Sequence, residues 1–529
     1  MSDPAVHDDF RGNRSSGSSM IRTTSVILAV VILSKVLGMV REMLLASKLG
    51  AGIEASAYSV SFSLVYTLTL LFSCFLQTAF LPIYSRARAQ SGQIGADRYT
   101  SNMLTFFGLA GLAVGTLFYV FAPGIVSVYA SGYGPEAQAL IVRMTRILIP
   151  MFIVQIVSYL LTALLNANED FVLPNIATMA LSFALIPTLL VTQSSDPVRI
   201  AVLVTMATSA SAVIEVLIQL PTAARRMRYR PILQPRDPLL LQTLMVAVPA
   251  VIATGTSEFN QLLQKNLTSH LDVGANAALG YGYKTYAIYI GLLILPVTVI
   301  LFSRLSARAA ENDRQGMLDT LRRYLETMLL VLLPIIALSM LLHKDIIQLL
   351  YQRGKFNAAD TALTGSALLF FLPGLLGYAV KDIFSRFFFT LQDTRTPMLV
   401  GIGSLAVNVG LNLALIGRMG IAGLALASSI SLILSGLTLA ILLWRKMGSL
   451  HLRPFAGQTA RIVLASAICA AISAAAVHLL AGRGSLVRLA VAGGIPLTVY
   501  IGTVLVLRVT SARRLTVGLL GMIRGRKAS

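Results

Sequence analysis

A chain of 529 residues that is 56% hydrophobic and only 12% charged, with mean hydropathy +0.77, is too poor in charge for a large soluble domain, where about 25% is usual. The net charge of +21 would suit a polyanion, but the arginines cluster in short connectors between apolar runs, as in a membrane protein, and no nucleic-acid partner is expected. Cys74 and Cys469 stand apart inside apolar runs, so the spacing indicates neither a disulfide framework nor a metal site.

In chain order, residues 1–22 are polar and rich in Ser, Asp and Gly, and read as a disordered cytoplasmic tail without the apolar core of a signal peptide. A helix crossing ~30 Å of hydrocarbon needs about 20 mostly apolar residues. Fourteen such runs follow, at about 24–48, 57–84, 100–128, 137–165, 172–193, 199–224, 239–269, 276–303, 317–342, 361–390, 396–416, 420–444, 457–481 and 487–509. One set of connectors is arginine-rich, as at Arg86, Arg88, Arg225, Arg226, Arg322 and Arg323, and the tail after residue 510 is basic too. The alternate connectors are sparse in charge, which puts both termini in the cytoplasm and requires an even number of spans.

An internal repeat organises the first twelve spans. Gly52, Tyr129 and Gly132 recur as Gly274, Tyr351 and Gly354 at an offset of 222, and Pro150, Asp170 and Pro174 recur as Pro373, Asp393 and Pro397 at 223. The tripeptide Ala87–Arg88–Ala89 recurs as Ala307–Arg308–Ala309 at 220. Six spans per copy is an even number, so the two lobes share one orientation, the arrangement that places a substrate site between lobes near the midplane. The expected fold is an all-α polytopic membrane protein of about fourteen helices. It has an N-lobe over 23–226, a C-lobe over 237–446, two further helices over 455–510 and a basic cytoplasmic tail over 511–529.

Ionisable residues inside spans cost at least ~2.5 to 3.5 kcal/mol each on insertion scales, and therefore mark functional positions. The first span, SKVLGMVREMLLASKLGAG from Ser34, carries Lys35, Arg41 and Glu42; Lys35 and Glu42 are seven residues apart and share a helix face. Later spans hold Glu215, Glu258, Lys265, Lys284, Lys381, Asp382 and Arg386. Asp382 and Arg386, four apart, suit a structural ion pair. Glu258, within GTSEFNQ, is read either as a hydrogen-bonding group between helices or as a site for a coupling proton or cation. Lys35, Arg41 and Lys284 form a candidate cationic set for a diphosphate, whose oxygens accept charge-assisted hydrogen bonds. Asn408 and Asn412 are expected in helix packing.

The combination of KVLGMVRE, LGAG, the turn YQRGKF from Tyr351 and FTLQDTRTPM from Phe389 resembles the MurJ/MviN family of lipid II flippases, within the multidrug/oligosaccharidyl-lipid/polysaccharide exporter superfamily. The resemblance runs from about Thr24 to Arg508 and implies two six-helix lobes with two helices flanking a lipid-accessible groove. It implies transport of an undecaprenyl-diphosphate-linked peptidoglycan precursor from the inner to the outer leaflet of a bacterial cytoplasmic membrane, with no cofactor. The partners implied are the glycolipid, membrane lipids and a coupling ion or the membrane potential. By position, the family's cavity cations correspond to Lys35, Arg41 and Lys284; two of these are Lys where the family often has Arg. The second span departs from the pattern: Ser56 stands where the family places Asp, and SLVYTLTLLFSCFLQTAF replaces its charged pairs. Two alternatives stay open, a flippase for another polyprenyl-diphosphate oligosaccharide and a multidrug antiporter. A glycan polymerase would need outer loops with convergent acids, bases or His, which these short loops lack.

Overall fold

The computed structural model describes residues 9–272, 274–448, 453–509 and 512, and every regular element among them is helical. The expected basic tail over 511–529 lies, apart from Ala512, outside the described residues. The chain forms two compact units, Met1–Lys265 and Asn266–Ser529.

The first unit contains α1 (Asp9–Leu49), α2 (Ile53–Tyr129), α3 (Pro135–Ala167), α4 (Val172–Ala177), α5 (Ala180–Val191), α6 (Pro197–Arg226) and most of α7 (Pro238–Ser269). Helix α1 begins at Asp9, so residues 9–22 of the expected tail are helical, and residues 1–8 lie outside the described residues. It ends in LGAG because Gly50 takes φ 64°, the left-handed conformation that costs glycine least, while its N–H still reaches Ala46 O at 2.8 Å. At 77 residues α2 would be about 115 Å long, nearly four bilayer cores, and it is in fact two spans. The helical path breaks at Ser91 and Gly92, within the polar stretch SRARAQSGQIGADR that hydrocarbon would not accept. Phe80, Tyr84, Tyr99 and Met103 from the two halves pack against Phe152, Ile156 and Leu160 of α3 to form the core. Helix α7, the first span of the second repeat, belongs with the first unit: Leu240 and Ala247 join that core, and Thr243 shares a 2.8 Å hydrogen bond with Tyr99.

The second unit contains α8 (Ala275–Tyr289), a π-helical turn over Ile290–Ile294, α9 (Leu295–Ala310), α10 (Arg314–Leu341), α11 (His343–Tyr351), α12 (Ala358–Phe371), α13 (Gly374–Thr390), α14 (Arg395–Met419) and α15 (Ile421–Met447). The two appended spans are α16 (Arg453–Leu479) and the α17 (Ser485–Arg488), π-turn and α18 (Gly494–Val506) sequence. They dock on α10 through Ile462, Cys469, Tyr500 and Val504, with the Tyr500 hydroxyl donating to Leu330 O at 2.7 Å. Arg488 pairs with buried Asp345 of α11 at 2.6 Å, a second fastening for the appended helices.

Eleven helices among the described residues are long and apolar enough to cross a membrane, and Ile53–Tyr129 is counted once among them. Helix α14 shows what solvent they are built for. Met398, Leu399, Ile402 and Leu413 are exposed while Asn408 and Asn412 are buried and bonded to each other at 2.9 Å, the reverse of a soluble helix.

The repeat is visible in the backbone of each unit. After α3, Glu169 adopts φ 62°, Asp170 N–H donates to Leu165 O at 3.0 Å, and the Asp170 carboxylate accepts from Leu173 N at 3.3 Å. After α13, Gln392 adopts φ 58°, Asp393 N–H donates to Phe388 O at 3.0 Å, and the Asp393 carboxylate accepts from Thr396 N at 3.0 Å. These pairs stand at the same 223-residue offset, and the left-handed residues Gly92 and Asn312 stand at 220.

The second copy adds a charge to this turn. Lys446 Nζ lies 2.6 Å from Asp393, and with the N–H and hydroxyl of Thr396 it holds the Asp393 carboxyl down at about 2. Because the folded value is depressed, this stabilisation is complete above the ordinary aspartate range near 3.8 and is lost as pH falls through 2. Asp393→Asn should cost about 1 kcal/mol at neutral pH, a figure reduced for the solvent around Lys446. Thermal unfolding of variant and parent in detergent should differ at pH 7 and converge as the pH is lowered toward 2.

Candidate functional site

The charged part of α1 folds onto its own unit. Arg41 and Glu42 form an ion pair at 2.9 Å, both largely buried, and the other terminal nitrogen of Arg41 lies 3.4 Å from Ser182 Oγ on α5. Lys48, one helical stretch on, donates to Thr192 O at 2.8 Å and so caps the end of α5. Lys35 is exposed and has no hydrogen-bond or ion-pair partner among the described residues. Glu42 therefore pairs with Arg41, its chain neighbour, and not with Lys35, with which it shares a helix face.

Helix α2 presents an aromatic strip beside these charges. Tyr58, Phe62 and Tyr66 recur every four residues and stack, with ring centroids 6.0 and 5.3 Å apart, over about 12 Å of helix. The Tyr58 hydroxyl bonds Thr208 on α6 at 3.0 Å, close to Arg41 and Glu42. At the other end of the strip, Thr67 donates to Glu258 Oε2 at 3.0 Å and Gln261 donates to Oε1 at 3.2 Å. Glu258 is buried, with no cation in ion-pair range among the described residues. Lys265, two turns further along α7, donates to Ser59 at 2.7 Å. The second span thus supplies the polar partner of Glu258, Thr67, and a strip of three aromatic rings, where sequence showed only missing charge. The i, i+4 spacing of the rings was the available signal.

In the second unit, Lys284 is exposed on α8, its ammonium 5.6 Å from the Tyr281 ring. The turn YQRGKF positions it. Tyr351 and Phe356 are buried against Tyr281 at centroid distances of 5.2 and 5.6 Å, and Thr285 donates to the Tyr351 hydroxyl at 3.3 Å. Arg353 of the same turn caps α11 by donating to Leu349 O and Leu350 O. A side chain at Gly282 would meet Ala367 Cβ at 3.1 Å, which shows how closely α8 lies on α12. On α13, Asp382 and Arg386 make the expected i, i+4 ion pair at 2.9 Å, with the Arg386 guanidinium 5.9 Å from the Phe302 ring centroid; Lys381 beside them is half-buried.

The structure therefore groups Arg41 with Glu42, Glu258 with Thr67, and Asp382 with Arg386, while Lys35 is exposed without a partner among the described residues and Lys284 lies beside the Tyr281 ring. Paired charges serve the fold as well as a ligand; an ammonium such as that of Lys35 in a membrane span needs an anion or water.

A sequence-family model described as "Lipid II flippase MurJ" matches residues 45–492. The "Probable lipid II flippase MurJ" of Rhizobium meliloti (strain 1021) is 27% identical over 474 residues, covering 88% of each chain. A solved structure, "Lipid II flippase MurJ, inward closed conformation", aligns with TM-score 0.77 at 22% identity, over 93% of this chain and 99% of the other. An inward-facing multidrug resistance MATE family transporter of the MOP superfamily aligns with TM-score 0.65 at 15% identity, over 80% and 98% of the two chains, a likeness of fold alone.

Proposed function

Because the chain belongs to the MurJ family of lipid II flippases, we propose that it carries undecaprenyl-diphosphate-linked peptidoglycan precursor from the inner to the outer leaflet of a bacterial cytoplasmic membrane by alternating access. The work is transport: no covalent bond of the glycolipid changes. Its diphosphate is the part that hydrocarbon refuses, since an ion of this size costs on the order of 20 kcal/mol to desolvate by an idealised Born estimate. Lys35, Arg41 and Lys284 replace its water with charge-assisted hydrogen bonds. The observation that carries this reading is the exposed ammonium of Lys35, within a membrane helix and without a protein partner among the described residues.

A flippase must bind its cargo differently in its two states and must be reset afterwards. Glu258, buried with no cation paired to it among the described residues, is the coupling group proposed for a proton or cation. The arginine-rich connectors support a cytoplasmic location for both termini.

Replacement of the native flippase in a depletion strain is the direct test. Expression of this chain should restore growth and the arrival of lipid II at the outer leaflet. Restored growth without lipid II arrival, or no rescue by a protein that reaches the membrane, would assign it another polyprenyl-diphosphate cargo.

A further inference from the structure

The first unit holds a second carboxylate that the proposed site does not use. Glu215 of α6 sits against α3, where Gln155 Nε2 donates to its Oε2 and Ser158 Oγ donates to its Oε1, both at 2.8 Å. Gln219, one turn along α6, donates to Ser158 Oγ at 2.9 Å and accepts from Thr162 at 2.9 Å. Gln155, Ser158 and Gln219 are buried, and no Lys or Arg pairs with Glu215 among the described residues. This is a closed network of four polar side chains built around one carboxyl group.

The charged and titratable groups around it offer no compensation. Tyr66 of α2 lies within electrostatic reach of both Glu215 and Glu258, and Tyr159 of α3 and Cys74 of α2 complete that side. Arg41 on α1 is engaged with Glu42, α4 and α5 carry no ionisable residue, and on α6 itself the nearest cations are Arg225 and Arg226, about three turns away. Glu215 is half-buried, and with no Lys or Arg paired to it among the described residues a proton or another cation can supply the compensating charge.

The donor set decides which cation. Calcium or magnesium takes six or more oxygen ligands, whereas the network offers a single carboxylate with one amide and one hydroxyl on it. A proton needs only one acceptor. Turning the Gln155 amide over presents its Oε1 to a protonated Glu215 Oε2 with no change in packing, since the two ends of an amide are nearly the same size.

We propose that Glu215 is a proton-binding site, in which the carboxylate takes a proton from water to become the neutral acid and the Gln155 amide switches from donor to acceptor. It deepens the transport reading and rests on it for its purpose: the proton is one that the cycle takes up and releases.

The test is infrared difference spectroscopy of the full chain in lipid vesicles during acidification, which detects the carbonyl stretch of a newly protonated carboxyl and needs no cargo. The parent should gain such a band, Glu215→Gln should lose it, and Glu215→Asp should keep it at a shifted frequency. Thermal unfolding checks that Glu215→Gln is folded; if it is not, the Glu215→Asp shift alone decides. A band unaltered by both substitutions, or one removed by Glu258→Gln and not by Glu215→Gln, overturns the assignment. A gain that follows sodium at constant pH overturns it as well. In transport assays Glu215→Gln should flatten the pH profile, whereas absence of lipid II transport by the parent would overturn the cargo and leave the infrared result standing.

Discussion

Replacing Arg41 with alanine should abolish lipid II transport while the protein still accumulates in the membrane. One charge-assisted hydrogen bond to a buried anion is worth roughly 1.5–3 kcal/mol, so loss of the guanidinium lowers transport by about a hundredfold if it acts on the diphosphate. The variant has a second consequence, because Glu42 then loses the partner 2.9 Å away. The double variant Arg41→Ala/Glu42→Gln separates the two roles. It should remain inactive; recovery of transport would show that Arg41 serves only to neutralise Glu42. Arg41→Lys should retain part of the activity, because charge matters more than fork geometry where the other two cations are already Lys. Flipping of labelled lipid II in vesicles, with membrane level as the control, measures all three.

The largest effect on folding is expected at Gly377. A Cβ there would stand 2.5 Å from Ile433 N and 2.7 Å from Leu432 C, which are backbone atoms of α15 and have no rotamer by which to withdraw. Gly374 meets Ser429, and Gly436 meets Gly377 O and Val380, so α13 and α15 touch along a seam of small residues, as membrane helices do when they pack without a hydrophobic driving force between them. Gly377→Ala should cost about 3 kcal/mol or more through forced separation of the helices. Gly377→Leu should leave no folded protein in the membrane fraction. Gly401→Ala is the control, since nothing lies within 4 Å of its Cβ position, and its melting temperature in detergent should match the parent. Because α13 also carries Lys381, Asp382 and Arg386, a folded but shifted Gly377→Ala protein should lose transport too.

The sequence by itself determined the features that depend on local chemistry. Apolar runs of span length, arginines in alternate connectors and the recurring Gly, Pro and Asp landmarks were enough for an all-helical membrane chain with a repeat. The same left-handed turn after α3 and after α13 follows, because turn geometry is set within a few residues. The Asp382–Arg386 pair was legible for the same reason, since both partners lie on one helix turn. What only the tertiary structure decided is how each helix is rotated about its axis and which neighbour it meets. Periodicity places Lys35 and Glu42 on one face, yet Glu42 pairs with Arg41, which is turned toward Ser182 of α5. Repeat arithmetic assigns α7 to the second lobe, yet its Glu258 is held by Thr67 of α2. Glu215 reads as one more acid in an apolar run until packing brings Gln155 and Ser158 to it from about 60 residues away. A carboxylate's proton affinity is set by such neighbours within a few ångströms, and helix packing alone chooses them.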